Sequence, residues 1–331
     1  MKLKSMVLSG LAAAVIFTLP MSVGATERIS GSDRYSTAVE ISKDGWESSN
    51  VVVLARGDEF PDALAGGPLA YHLDAPVLLT RQEVIPSSTL YEIARLDATE
   101  VVILGGEGAI SNTVTEELEA LGLSVERIGG ETRYETAALI AEQLPVSETV
   151  VLANGLDFPD ALAVAPEAAK NGYPILLTRS DRLSAAAEEA LESSTKQYII
   201  GGTAAVNNAI EEALTDARRL GGVDRYETNK AIVDEFTTEQ EAAYVATGTN
   251  FADALTGSVL AAKNDASILL TRSDRVPAVI SELAEQFTSF NILGGTVAIS
   301  EDVLAIFEGF TSEEEATEDE NAEESTEEEK Y

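Results

Sequence analysis

Apolar positions along the middle of the chain fall into two alternating rhythms. Thr149 to Ala153 (TVVLA) and Pro174 to Thr178 (PILLT) are unbroken apolar runs, and QYIIGG (Gln197 to Gly202) carries another; such runs read as strands buried on both faces. VERI (Val125 to Ile128) reads as a further short strand. Between them, Tyr134, Ala137, Ala138, Ala141 and Leu144 recur at helical spacing. A second helix opens with Pro159, whose missing N–H does no harm in a first turn. Ser184 to Leu191 and Asn207 to Leu214 read as two more. Alternation of such strands with helices predicts a parallel sheet, so this stretch forms a four-stranded α/β unit of about 95 residues, open and doubly wound.

The unit occurs three times. RIGGETRY (Arg127 to Tyr134), NGLDFPDAL (Asn154 to Leu162), PILLTR (Pro174 to Arg179) and IIGGTAAVN (Ile199 to Asn207) return before and after in the same order. The earlier copy reads RISGSDRY from Arg28, RGDEFPDAL from Arg56, PVLLTR from Pro76 and ILGGEGAIS from Ile103. The later one reads RLGGVDRY from Arg219, TGTNFADAL from Thr247, SILLTR from Ser267 and ILGGTVAIS from Ile292. In a parallel sheet every residue that follows a strand lies along one edge, where α/β sheets place ligands. That edge then carries Arg34, Asp62, Thr80, Arg81 and Gly105-Gly106 in the first copy. Its counterparts are Arg133, Asp160, Thr178, Arg179 and Gly201-Gly202 in the second, and Arg225, Asp253, Thr271, Arg272 and Gly294-Gly295 in the third.

Composition narrows the chemistry. The 331 residues contain no cysteine, which excludes disulfides, thiol nucleophiles and thiolate metal sites, and one histidine, His72, in an apolar helical context. A Ser-His-Asp triad or a multi-histidine zinc site is thereby disfavoured. Lys2 and Lys4, an apolar run from Leu8 to Leu19 and Val23-Gly24-Ala25 read as a signal peptide over 1–25, which implies secretion. After Phe310 the chain turns to TSEEEATEDENAEESTEEEKY, so 311–331 reads as a disordered acidic tail. The net charge is −35; without the tail acids and the terminal lysines, 46 acids still face 19 bases. Nucleic acid is a poor partner for such a surface.

The repeated residues admit several roles. Arg133 follows one strand and Asp160 opens the helix after the next, so the two can pair across neighbouring loops; Arg34 with Asp62 and Arg225 with Asp253 do the same, either to pin loops or to bind. No acid follows Thr80-Arg81, Thr178-Arg179 or Thr271-Arg272 at a fixed offset, so these strand-end arginines suit carboxylate or phosphate groups on a polymer. The Gly-Gly turns match no nucleotide fingerprint and read as backbone-permissive turns. Triplication favours a binder over an enzyme, because repeated sites raise effective concentration.

The succession RIxGxxRY, F-P/A-DAL, P-x-LLT and LGG-x-x-A-I/V-S/N resembles the cell wall binding repeat type 2 family of Gram-positive surface proteins, over about Glu27 to Phe310. The resemblance implies three tandem Rossmann- or flavodoxin-like parallel-sheet repeats (26–121, 122–214 and 215–310) packed around a pseudo-threefold axis. It further implies a secreted, non-enzymatic protein attached non-covalently to anionic secondary wall polymers of polysaccharide or teichoic type, or to peptidoglycan. The PILL segments with Arg81, Arg179 and Arg272 are the contacts it implies. Copy three departs at Ser267 and Ala252, and no partner domain is evident, so the chain reads as a bare anchoring module. No cofactor is implied; bridging Ca²⁺ or Mg²⁺ would reconcile the charge with an anionic polymer. The alternatives are a wall-lytic enzyme or its modifier subunit, and a nucleotide or small-molecule binder, which the missing fingerprints disfavour.

Overall fold

The computed structural model describes residues 26–236 and 240–311. Residues 1–25, expected to be a signal peptide, and the acidic stretch beyond Thr311 lie outside the described residues. Copy one contains β1 (Glu27–Ile29), α1 (Arg34–Gly45), β2 (Val51–Arg56), α2 (Gly66–His72), β3 (Val77–Thr80), α3 (Ser87–Arg95), β4 (Glu100–Leu104) and α4 (Asn112–Ala120). Copy two contains β5 (Ser124–Ile128), α5 (Arg133–Glu142), β6 (Thr149–Asn154), α6 (Pro159–Asn171), β7 (Ile175–Thr178), α7 (Ala185–Leu191), β8 (Lys196–Ile200) and α8 (Asn208–Ala213). Copy three contains β9 (Ala217–Leu220), α9 (Arg225–Phe236), β10 (Ala242–Thr247), α10 (Ala252–Lys263), β11 (Ser267–Thr271), α11 (Ala278–Ala284) and β12 (Ser289–Leu293), followed by a helix over 301–311.

The sequence places the helix starts well for a local reason. In each copy the residue before the Arg-Tyr pair is the N-cap: Asp33 and Thr132 each form a reciprocal capping box with the residue three on, and Asp224 Oδ1 accepts from Glu227 N at 3.0 Å. Copy one differs at its second helix. Residues 61–65 form turns and α2 begins only at Gly66, whereas α6 and α10 begin at Pro159 and Ala252. Gly66-Gly67 lowers helix propensity there.

All three sheets are parallel, ordered β3-β2-β4-β5, β7-β6-β8-β9 and β11-β10-β12-β1. Four strands per unit is the expected number, but one is exchanged. Each copy's first strand joins the preceding copy's sheet: Val125 pairs with Val101 and Ile128 with Leu104, while Arg219 pairs with Ile199. β1 closes the ring by pairing with β12, Arg28 beside Ile292. Alternation of strand and helix says that sheets are parallel, not which sheet a strand enters.

The second helix of each copy, α2, α6 and α10, packs on its two counterparts along the pseudo-threefold axis. A Cβ added at Gly67 would lie 3.2 Å from Ala165 Cβ and 3.5 Å from Ser258 Oγ, so the three equivalent small residues meet at the centre. Near the carboxyl end Phe60, Phe158 and Phe251 form a ring of edge-to-face contacts, with centroids 5.5, 5.6 and 6.2 Å apart.

Candidate functional site

The four repeated motifs converge on the carboxyl edge of each sheet. Arg34, Arg133 and Arg225 are the first residues of α1, α5 and α9. Each turns its guanidinium onto a backbone carbonyl at the end of the next strand in its own copy: Arg34 Nη1 donates to Gly57 O at 2.5 Å, Arg133 Nη1 to Gly155 O at 2.6 Å, and Arg225 Nη1 to Gly248 O. Arg34 and Arg225 also lie over the rings of Phe251 and Phe158 in the preceding copy, both at 5.6 Å.

The aspartates point the other way around the ring, so the expected pairing of Arg and Asp within a copy is replaced by contacts between copies. Thr136 Oγ1 of copy two donates to Asp62 Oδ1 of copy one at 2.8 Å, and accepts from Gly130 N at 3.1 Å. Asp160 is hydrogen-bonded to Thr228 and feels the charge of Arg225, both in copy three, and Asp253 feels Arg34 in copy one. No ion pair joins Arg34, Arg133 or Arg225 to the aspartate of its own copy among the described residues. The pairing distance in sequence is right for neighbouring loops; the exchanged strand carries the partner into the next copy.

Burial raises the carboxyl groups of Asp160 and Asp253 to about 6, Asp157 adding to the effect at Asp160 and the arginines opposing it in both. A carboxyl that titrates higher in the folded chain binds its proton there first. Stability therefore gains as pH falls from above 6 toward 4, and the cost of burying the charge is fully present above the folded value. Asp160→Asn is expected to raise the stability measured at pH 8 by on the order of 2 kcal/mol and to leave it nearly unchanged at pH 4. Urea midpoints of both proteins across pH 4–8 check this.

Thr80, Thr178 and Thr271 are buried, and each hydroxyl donates into the loop that follows its strand, to Val84 O at 3.3 Å, Arg182 O at 2.9 Å and Arg275 O at 3.1 Å. They shape the loop and have no surface to offer a polymer, contrary to the reading of them as contacts. Thr178→Val is expected to cost about 1 kcal/mol of stability and to leave wall binding intact, as urea unfolding and a wall pull-down would report.

The neighbouring arginines are placed differently. Arg81, Arg179 and Arg272 lie over the rings of Tyr35, Tyr134 and Tyr226 at 5.2, 5.4 and 5.2 Å. Arg81 and Arg179 are exposed and Arg272 half-buried. None of the three guanidiniums has a hydrogen bond or a carboxylate within 4.0 Å among the described residues. Burial pushes the Tyr35 and Tyr226 hydroxyls up, against the pull of Arg81 and Arg272, so the platforms stay neutral. The tyrosines belong to the repeated RIxGxxRY motif, and their invariance across the three copies was the signal that they matter. What the motif alone hides is that Tyr134 sits under an arginine 45 residues later.

At the seam of copies one and two this edge opens into a cavity of about 480 Å³ lined by Arg56, Asp62, Gly106, Arg133, Tyr134 and Arg179. Arg56 is paired with Asp58 at 2.8 Å and Arg133 spends Nη1 on Gly155 O, whereas the Arg179 guanidinium has no hydrogen bond or ion pair among the described residues. The Tyr134 hydroxyl is buried without a hydrogen-bond partner. No group of three or more His, Asp or Glu side chains is arranged to hold a metal ion among the described residues.

The glycine turns act as expected of permissive backbone. Gly105, Gly201 and Gly294 have φ of 110°, 111° and 102°, in the left-handed half that favours glycine. Arg127 Nη1 and Arg219 Nη1 clamp the carbonyls of Gly105 and Gly201 at 3.0 and 2.8 Å, and Arg28 Nη1 clamps Gly294 O at 2.8 Å. The first arginine of each copy is thus an inter-copy clamp, a role its position on the exchanged strand supplies.

The family model described as Cell wall binding domain 2 (CWB2) matches residues 28–115, 127–211 and 219–304. The chain belongs to this family. Its three CWB2 copies are 33% identical over 278 residues to the N-acetylmuramoyl-L-alanine amidase LytC of Bacillus subtilis (strain 168), covering 83% of this chain and 56% of that protein. They are 34% identical over 287 residues to the amidase enhancer of the same organism, covering 85% of this chain and 40% of that one. Among solved structures, Cwp8 from Clostridium difficile superimposes with a TM-score of 0.80 at 30% identity, over 87% of this chain and 52% of that one. Cwp6 from the same organism gives 0.81 at 29% identity, over 93% and 51%. The chain spans about half the length of the relatives it matches. No helix among the described residues is long and apolar enough to cross a membrane.

Proposed function

We propose that this chain is a secreted, non-enzymatic wall anchor whose three CWB2 copies hold anionic secondary polymers of a Gram-positive wall through Arg81, Arg179 and Arg272. One observation carries the reading. In every copy a guanidinium lies over a tyrosine ring at the carboxyl edge of the sheet, its Cζ 5.2–5.4 Å from the centroid, with no hydrogen bond or ion pair of its own among the described residues. A planar fork held this way suits phosphate or carboxylate oxygens, and three of them on one rigid ring give avidity to a polymer that repeats its charges. Copy three keeps the same stacking distance despite Ala252 and Ser267, so it counts as a site. Ser267 instead links copies, donating to Glu167 Oε1 at 2.6 Å. Wherever divalent cations bridge polymer and protein, they would do so with carboxylates of the polymer included, since the described residues offer no ready-made cluster.

Retention on purified walls, before and after removal of the secondary polymers and with and without chelator, tests the reading. Binding lost with the polymers supports it, whereas undiminished binding to stripped walls assigns the module to peptidoglycan. The kinship with an amidase and an amidase enhancer keeps a second reading in view, in which the chain modifies a wall hydrolase. Turnover of wall by this chain alone, or stimulation of a separate hydrolase without any wall retention, would favour it.

A further inference from the structure

A groove of about 860 Å³ runs along copy two between α5 and α7; at one end it adjoins the arginine edge, sharing Gly106, Gly130 and Glu131 with the cavity there, but Arg133 and Arg179 are not among its lining residues. Its origin can be read from equivalent positions. Eight residues beyond the first arginine of α1, α5 and α9 stand Ser42, Ala141 and Val233, and 11 residues beyond Arg81, Arg179 and Arg272 stand Glu92, Ala190 and Leu283. In copy one these two positions are joined by a buried Ser42 Oγ to Glu92 Oε1 hydrogen bond of 2.6 Å, with Arg95 neutralising the carboxylate at 2.7 Å. In copy three Val233 and Leu283 are both fully buried. Copy two has only two alanines, both left half-buried. The helix ends differ too. Copies one and three finish their first helix in the rings of Trp46 and Phe236, the latter packed 5.1 Å from Tyr198. Copy two has Leu144, Pro145 and the 92% exposed Val146, on a connection one residue shorter.

The floor of the groove is apolar, with Leu139, Leu144 and Leu176 among the alanines. Its rim is acidic, formed by Glu107, Glu131, Glu142 and Glu189. None of these four carboxylates has a cationic partner within 4.0 Å among the described residues. The one base in the lining, Arg127, is spent on Gly105 O and Thr115 Oγ1 at 3.0 and 2.8 Å. An anionic polymer is repelled here, and the chain's own acidic tail is excluded for the same reason. We propose that this groove docks a basic amphipathic helix of a partner protein, its apolar face on the partly exposed Leu139, Ala141 and Ala190 and the exposed Val146, over a floor of buried Leu144 and Leu176, and its Lys or Arg side chains on the four glutamates. The groove borders the arginine edge at Gly106, Gly130 and Glu131 but includes none of Arg81, Arg179 and Arg272, so the groove variants below test docking without touching the arginines of the polymer reading.

The probe is a synthetic 15-residue helix of Leu and Lys with leucines at i, i+3, i+4 and i+7, compared with a scramble of the same composition, by fluorescence anisotropy at 0.15 M salt. The scramble controls for attraction to a protein of net charge −35. Three variants accompany it: Ala141→Val with Ala190→Leu, which refills the groove with copy-three residues; Glu142→Lys with Glu189→Lys on the rim; and Glu116→Lys with Glu119→Lys on α4 outside it. Expected are at least about tenfold tighter binding of the patterned helix than of the scramble, a loss of about tenfold or more in each groove variant, and a change within about twofold in the α4 variant. Equal affinity for the scramble, binding indifferent to refilling, or no binding overturns the proposal. So does self-association by sedimentation that the refilled variant abolishes, which would give the groove to a second copy of the chain.

Discussion

Replacing Arg81, Arg179 and Arg272 together with alanine is expected to abolish retention on purified walls while the protein stays folded. Each guanidinium lies over a tyrosine and makes no hydrogen bond or ion pair of its own among the described residues, so its removal forfeits a cation–π contact of about 0.5–1 kcal/mol at the exposed Arg81 and Arg179 and somewhat more at the half-buried Arg272. Toward a polymer the balance reverses. A charge-assisted fork to phosphate or carboxylate contributes on the order of 1.5–3 kcal/mol. One substitution should therefore weaken wall binding about tenfold, and three about a thousandfold or more, because each loss also removes the rebinding that the other sites provide. Arg→Lys at the same positions keeps the charge but gives up the planar fork, and should recover only part of the affinity. A triple alanine variant that melts normally and still binds polymer-bearing walls would move the contact away from this edge.

Much of this site was legible because each motif is short and self-contained. A buried apolar run can be nothing but a strand in this context, and whatever follows a parallel strand lies at the ligand edge, so Arg81, Asp62 and the Gly-Gly turns could be placed there from spacing alone. The family resemblance, now shown by the three-copy CWB2 match, supplied the threefold packing. What escaped were relations between motifs. Sequence spacing suggests that Arg133 and Asp160 meet across neighbouring loops, yet Asp160 answers to Thr228 of the next copy, because β9 crosses into copy two's sheet. Thr178 looked like half of a binding pair only while its loop was invisible; once the loop folds, its hydroxyl closes it through Arg182 O. The groove on copy two was written in the sequence as Ala141 and Ala190 opposite Val233 and Leu283. Small residues on helices announce nothing until the partner helix is known.

Strand exchange makes a second large effect testable. A Cβ at Gly129 would lie 2.3 Å from the Gly105 carbonyl carbon, and one at Gly221 would lie 2.4 Å from that of Gly201. In both cases backbone faces backbone, so no side chain can rotate away. Gly221→Ala is expected to destabilise the protein by about 3 kcal/mol, near the upper end of overpacking costs, whereas Gly108→Ala, with no atom within 4 Å of the added carbon, should change little. The probe for this is the single tryptophan. Trp46 sits in copy one, far in sequence from the seam of copies two and three, with its indole N–H on Asp74 O at 3.0 Å and the Lys263 ammonium 5.2 Å from the ring centroid. Because β1 closes the ring on β12, every copy is joined to both others by an exchanged strand, and the three are expected to unfold as one unit. Urea unfolding of Gly221→Ala followed by Trp46 fluorescence should therefore shift by the same amount as far-UV circular dichroism. A fluorescence midpoint left at the wild-type value while the dichroism moves would mean that the copies unfold separately and that the exchanged strands do not couple them.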